Sequence, residues 1–155
     1  MANEDLNVLR KVYNNVNSYE WEVLSPREEY YRSMSFPIEA EKNINSFSAE
    51  IIRGLVVITG AYQSRFYYEE DKYSWQQKEY ASIISTLNDK INNVYFITSE
   101  DYENSIKKKN LFNFGVGSLA GDKNETNIIS EIYNLVNRKV SGISDLYSKF
   151  LDKDE

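Results

Sequence analysis

The apolar residues between positions 38 and 68 constrain the fold of this chain more than any other feature. They recur at steps of three or four residues, at Ile44, Phe47, Ile51, Leu55, Ile58 and Tyr62. This period is typical of the buried side of a helix, so it predicts a long central helix over 38–68. A buried strand is the alternative, because the segment contains the β-branched run Val56-Val57-Ile58-Thr59. The longer period of the neighbouring residues favours the helix.

Two further helices are predicted before this segment. Apolar residues at helical spacing indicate a helix over about 4–17. The sequence Ser25-Pro26-Arg27-Glu28 combines a capping serine, a proline at the first helical position and a glutamate that can return the capping bond. A short helix is therefore expected to run to about Met34. Phe36-Pro37 ends it, because the residue before a proline avoids the helical region.

The second half of the chain also shows helical spacing. It predicts helices over about 74–92, from Ser99 to about Lys109, and from a Thr126 cap onwards with an interruption at Gly142. The segment 94–97 is too short to assign, and residues 113–125 are predicted to form the main loop. A length of 155 residues is usual for one domain. The sequence therefore predicts an all-α fold, a compact bundle of about five or six helices in a single domain, residues 1–155.

The chain contains neither cysteine nor histidine. It therefore lacks thiolate and imidazole metal ligands and any histidine base that could activate a nucleophile. Carboxylates remain, but Glu69-Glu70-Asp71 and Glu100-Asp101 are consecutive, and adjacent residues on a helix point in different directions. We interpret them as solvated faces or helix starts. No catalytic residue, metal site or cofactor is expected, and an enzyme that uses only carboxylates is the least favoured alternative.

The glycine-rich stretch 114–121 superficially resembles a phosphate-binding loop. No convincing strand precedes it and no GK[ST] sequence follows it, so a flexible loop is favoured. Residues 122–126 have oxygen ligands at alternate positions, as a calcium loop would. The glycine and the final acidic residue that such a loop needs are missing, so calcium is rejected.

The chain carries 24 acidic and 18 basic residues, a net charge of -6. Nucleic acids and anionic membranes would be repelled at long range, so contact with RNA would need a local basic patch. The longest apolar run, Leu55-Val56-Val57-Ile58, is too short to cross a bilayer. The first residues are acidic and no apolar run follows them, unlike a secretory signal. We expect a cytoplasmic protein without a membrane partner.

Aromatic residues are abundant, with 13 tyrosines and seven phenylalanines, and several lie beside positive charge. The groups are Tyr30, Tyr31 and Arg32; Tyr62, Arg65, Phe66 and Tyr67; and Lys72, Tyr73 and Trp75. Aromatic and basic side chains together can stack on the bases of single-stranded RNA and neutralise its phosphates. The same residue types are favoured at protein interfaces, which is the preferred interpretation. Tyr62 and Trp75 are the predicted interface residues.

A stretch in the central segment resembles the small helical subunit of type III-B CRISPR effector complexes. In that family a helix carries a Gly-Leu start, small and apolar residues, an Ala-aromatic pair and a Ser-Lys end. The corresponding stretch here runs from Gly54-Leu55 through Ala61-Tyr62 to Ser64-Arg65. Arg53 replaces the asparagine that often precedes the Gly-Leu pair, and the Ala-aromatic pair is shifted by one position.

The resemblance implies a non-catalytic subunit of an antiviral ribonucleoprotein. Such a protein stacks on copies of itself, beside other subunits and the guide and target RNA. Arg53, Arg65 and Lys72 are then the predicted RNA-binding residues. A second hypothesis is an acidic helical protein-interaction factor, such as a toxin-immunity protein or a phage-encoded inhibitor, which blocks a basic surface of its partner.

Overall fold

The computed structural model describes residues 2–112 and 126–152, and its centre is a five-stranded antiparallel sheet in the order β1-β2-β3-β4-β5. The strands are β1 (Glu22–Val23), β2 (Lys42–Ile52), β3 (Leu55–Glu69), β4 (Lys72–Leu87) and β5 (Lys90–Thr98). The helices are α1 (Ala2–Asn14), α2 (Glu29–Ser33), α3 (Ser99–Phe112), α4 (Ile128–Ser141) and α5 (Ile143–Asp152). The chain is thus a mixed α/β fold.

The prediction of an all-α helical bundle is wrong. The predicted helix 38–68 is β2 and most of β3, joined by a tight turn at Gly54, where φ is +87°. The predicted helix 74–92 is β4 and the turn into β5. Residues 56–62 and 80–84 are all buried, because both faces of the central strands are covered. A strand buried on both faces loses its alternation of apolar and polar residues, and a helical period can then be found among its apolar positions.

Helices α1, α3 and α4 cover one face of the sheet and form the larger core with it. Helix α1 contributes Leu9 and Val12, and α4 contributes Ile129, Ile132 and Val136, all of them almost completely buried. These side chains pack on the sheet residues Phe47, Val57, Ala61 and Ile83. The amphipathic pattern of both helices therefore results from their position on the sheet.

The opposite face of the sheet carries an aromatic cluster, which consists of Tyr31, Phe36, Tyr62, Tyr80 and Phe96. Phe36 lies at its centre, with ring centroids 5.1 Å from Tyr80 and 5.2 Å from Phe96 in edge-to-face geometry. The segment that contains α2 brings Tyr31 and Phe36 over the sheet. This segment covers the second core, so the central parts of β3 and β4 are buried on both faces.

Several helix predictions are confirmed. Helices α1 and α3 lie where the sequence predicts them, and Gly142 separates α4 from α5 in a left-handed conformation with φ of +73°. The predicted capping bond forms, since the Ser25 backbone N–H donates to the Glu28 carboxylate, but α2 begins only at Glu29. Asn127, rather than Thr126, caps α4. The predicted loop 113–125, with its glycine-rich stretch, lies outside the described residues.

Candidate protein interface

The hairpin of β3 and β4 extends well past its neighbours in the sheet. β2 last pairs with β3 at Lys42 and Gln63, and β5 last pairs with β4 at Thr98 and Tyr80. Beyond these pairs β3 and β4 continue together up to Glu69 and Lys72. Every residue from 65 to 77 is exposed. We call this two-stranded projection, residues 65–77, the ribbon.

One face of the ribbon gathers an arginine and three aromatic rings. Arg65 is paired with Trp75, and Tyr67 with Tyr73, in the register of the two strands. Side chains of directly paired residues point to the same face of a sheet, so all four share one surface. The Tyr67 and Tyr73 centroids are 5.3 Å apart, and those of Tyr73 and Trp75 are 5.8 Å apart. We call this surface the arginine face.

Cations lie against these rings. The Arg65 guanidinium carbon is 5.3 Å from the Tyr73 centroid, 5.8 Å from that of Tyr67 and 5.9 Å from that of Trp75. The Lys42 ammonium lies 4.2 Å from the Trp75 centroid. Such contacts are individually weak at exposed sites. They hold the aromatic side chains in place although much of each ring faces solvent.

Glu41 fixes the position of Arg65 from outside the ribbon. The Arg65 Nε donates to one Glu41 carboxylate oxygen at 2.9 Å, and Nη2 lies 2.6 Å from the other oxygen. The hydrogen bond from Arg65 lowers the pKa of the Glu41 carboxyl group below its ordinary value. This bidentate contact orients the guanidinium and joins the base of the ribbon to the start of β2.

The opposite face and the tip of the ribbon have a different character. Phe66 and Tyr68 are 50% and 59% exposed there. The tip carries Glu69, Glu70 and Asp71, whereas Lys72 is its only cation and pairs with Glu69 at 3.6 Å. The ribbon therefore combines exposed aromatic surface with an acidic end.

The predicted site residues are distributed unevenly over this structure. Arg65 and Trp75 are brought together on the arginine face, and Lys72 lies at the tip of the same ribbon. Arg53 lies in the turn between β2 and β3, at the other end of β3. Tyr62 is only 2% exposed and belongs to the aromatic cluster. The structure thus joins two of the five predicted residues directly and places a third nearby.

Sequence reasoning missed Glu41 and Lys42 and did not single out Tyr67 or Tyr73 as site residues. The aromatic and basic residues around 65–67 and 72–75 were visible as two separate groups. Their relation depends on the hairpin, because Arg65 meets Trp75 only when β3 and β4 pair across the turn. Reading Glu69-Glu70-Asp71 as a turn between two strands would have provided the missing signal.

Helix α5 presents a second exposed apolar surface. Leu146, Tyr147, Phe150 and Leu151 are each 58–68% exposed, and their spacing places them along one side of the helix. The Arg138 guanidinium carbon lies 5.8 Å from the centroid of the Tyr147 ring. Contiguous exposed apolar surface is a common feature of sites that contact another molecule.

The chain matches no protein-family model, and comparisons with curated proteins and solved structures find no significant match. Among residues 2–112 and 126–152, no group of three or more acidic residues could hold a metal ion. None of the helices that the structure describes is long and apolar enough to cross a membrane. The ribbon must therefore be interpreted from its own geometry.

Proposed function

We propose that this chain is a non-catalytic protein-interaction factor, and that its ribbon binds the surface of a protein partner. The observation that carries the proposal is the exposed Arg65 surrounded by Tyr67, Tyr73 and Trp75. Tryptophan, tyrosine and arginine are the residues enriched at energetic hot spots of protein interfaces. On the arginine face their mutual contacts and the Glu41 ion pair reduce the conformational entropy that binding would cost.

The charge of the ribbon indicates the kind of partner. Three consecutive carboxylates at the tip favour a basic partner surface, and they would speed its association by electrostatic steering. An acidic factor that blocks a basic surface, as an inhibitor or a toxin-immunity protein does, fits this arrangement. A cytoplasmic location is part of the proposal.

The likeness to the CRISPR small subunit is not part of this proposal. It depends on a helix over residues 54–65, whereas these residues lie in the turn before β3 and in β3 itself. The acidic tip beside the aromatic rings also opposes contact with RNA phosphates. A protein surface suits the ribbon better, because it can match both the rings and the carboxylates.

Site-specific photo-crosslinking in the native host tests the proposal. A photoreactive amino acid is placed at Tyr68 on the ribbon and, as a matched control, at Leu87, which is 64% exposed at the far end of β4. We expect one protein to be captured from position 68 and not from position 87. Trp75→Ala should abolish this capture, and treatment with ribonuclease should leave it intact.

Charge variants of the tip make the test sharper. The combined Glu69→Gln, Glu70→Gln and Asp71→Asn variant should slow association with the captured partner and weaken its dependence on salt, whereas Lys72→Gln should not. Equal capture from positions 68 and 87 would refute the proposal. So would crosslinks from position 68 that contain only RNA.

A further inference from the structure

A pocket of about 320 Å³ opens on the face of the sheet that carries the aromatic cluster. Tyr62 and Phe96 form part of its lining, and three carboxylates, Glu39, Glu100 and Asp101, surround it. Glu100 and Asp101 lie in the first turn of α3, and Glu39 lies just before β2. The three carboxylate residues are exposed, whereas Tyr62 is almost completely buried. The pocket thus has an aromatic floor and an acidic rim.

Tyr62 carries the hydroxyl group of the aromatic floor of this pocket. Tyr62 is only 2% exposed, yet its hydroxyl group makes no hydrogen bond to any residue that the structure describes. Among the described residues no fully buried polar side-chain atom lacks a partner, which agrees with contact between this oxygen and the pocket that Tyr62 lines. Burial, reinforced by the nearby carboxylates, raises the pKa of Tyr62, and the hydroxyl group is protonated at neutral pH.

The rim is only partly neutralised by the protein itself. The Lys78 ammonium lies 3.0 Å from the Glu100 carboxylate. Glu39 and Asp101 have no ion-pair partner within residues 2–112 and 126–152. Asp101 also accepts a hydrogen bond of 3.4 Å from the backbone N–H of Thr98, the last residue of β5. Two negative charges therefore face the mouth of the pocket.

The shape of the site selects among cations. In the described part of the chain the carboxylates do not converge closely enough to hold a metal ion. An organic cation is larger and can donate several hydrogen bonds in different directions. It can also lie against the partly exposed Phe96 ring, since aromatic faces attract positive charge.

We propose that this pocket binds the guanidinium or ammonium group of an arginine or lysine side chain of the protein partner, an inference that rests on the proposed function. An N–H group of the cation donates to the Tyr62 hydroxyl oxygen, and others donate to the Glu39 and Asp101 carboxylates. The pocket lies beside the base of the ribbon, because Tyr62 is paired with Lys78 just before the ribbon begins. Tyr62, Phe66 and Tyr68 lie at alternate positions of β3 and so on one face, opposite to the arginine face. One partner can therefore contact Phe66 and Tyr68 on the ribbon and fill the pocket.

Titration with small probes, followed by two-dimensional NMR, tests the inference on the isolated chain. The probes are the N-acetyl amides of arginine and lysine, and the N-acetyl amide of glutamine is the uncharged control. We expect saturable shifts of the backbone signals around Thr98 with millimolar affinity for the two basic probes only. Tyr62→Phe and Glu39→Gln should each weaken binding roughly threefold to tenfold, the value of one hydrogen bond or more.

Matched variants separate this inference from the proposed function. Glu22→Gln removes a carboxylate that does not line the pocket, and Trp75→Ala disrupts the arginine face, so neither should change the affinity for the probes. Probe shifts that are absent, or that are equal for glutamine amide, would overturn the inference. If crosslinking from position 68 still succeeded, the proposed function would survive that failure.

A further titration, with spermidine, identifies the source of the cation. If spermidine bound tenfold more tightly than either amino-acid amide, the ligand would be a free polyamine and the assignment to a partner side chain would be wrong. Comparable or weaker binding of spermidine supports the side chain. Glu39 is exposed, so Glu39→Gln keeps the test decisive even if Tyr62→Phe reduces the stability of the fold.

Discussion

The Tyr80 side chain reaches across Gly60 and places its hydroxyl oxygen 2.6 Å from the hydroxyl oxygen of Ser46. Ser46, Gly60 and Tyr80 are paired in one row across β2, β3 and β4. A Cβ atom on residue 60 would lie 2.5 Å from the Tyr80 hydroxyl oxygen and 2.7 Å from the Asn45 carbonyl oxygen. Glycine is therefore required at position 60 because of space, and the aromatic cluster is built over it.

Gly60→Ala should destabilise the fold by about 2–3 kcal/mol, because the added methyl group forces Tyr80 and the β2 backbone apart. Urea unfolding followed by circular dichroism measures the change. Gly142→Ala is the matched control, since nothing lies within 4 Å of a Cβ at that position. In Gly142→Ala the only expected loss of stability is the strain of alanine in the left-handed conformation, about 1 kcal/mol. Equal losses in the two variants would show that Gly60 is not sterically required.

Tyr133→Phe should destabilise the fold by about 1–2 kcal/mol. The buried Tyr133 hydroxyl group donates to the Asn45 side-chain oxygen, and the Asn45 amide donates to Asn137 at 3.2 Å, so the pair fastens α4 to β2. Tyr147→Phe serves as the control, because Tyr147 is 58% exposed, and it should change stability by less than about 0.5 kcal/mol. Unfolding curves that coincide for both variants would contradict the role of this network.

The pKa of Glu41 should lie below its ordinary value of 4.5, because Arg65 donates hydrogen bonds to the carboxylate. A carboxyl group whose pKa is lower in the folded state stabilises the fold at pH values above its pKa in the unfolded state. That contribution is lost as the pH falls through the folded value. The pKa of Glu41 is measured directly by following the NMR signal of its carboxyl carbon as the pH changes. In Arg65→Gln the pKa should return towards 4.5, and an unchanged titration would show that the ion pair does not persist in solution.

Alkaline pH should weaken the fold through its buried tyrosines. Burial raises the pKa of Tyr62 and of Tyr80 above the ordinary value of 10.0. A group with a higher pKa in the folded state stabilises the fold below the unfolded value, and this contribution disappears as the pH rises through the folded value. Stability should therefore decline above about pH 10.

Ultraviolet absorbance detects the ionisation of these tyrosines. We expect a fraction of the tyrosines to ionise only together with the loss of the circular dichroism signal. In Tyr80→Phe, one tyrosine fewer should ionise together with unfolding. Ionisation of all tyrosines in a protein that remains folded would contradict the burial of Tyr62 and Tyr80.

The local signals in the sequence predicted the outer helices well. Apolar spacing located α1, the acidic start located α3, and Gly142 marked the break between α4 and α5. Helices α1 and α4 are amphipathic, since one side of each packs on the sheet and the other faces solvent. Their period is therefore set by the helix itself and can be recognised without knowledge of the partner elements.

The central strands could not be predicted in the same way. β3 and β4 are buried on both faces between residues 56 and 62 and between 80 and 84, so burial removed the alternation that identifies a strand. The β-branched run at 56–59 was the remaining signal, and it was too short to outweigh the apparent helical period. The small subunit resemblance depended on the same misassigned stretch.

The sequence by itself determined the chemistry available to this protein, since a chain without histidine and cysteine has no imidazole or thiolate group, and this one is rich in tyrosine. It also determined the helices whose signals can be recognised in the sequence without knowledge of the elements they pack on. Only the tertiary structure decided which groups meet, placing Arg65 opposite Trp75 and against Glu41, which lies 24 positions earlier. The reason is that strand pairing joins residues far apart in the chain, and its register depends on the whole sheet.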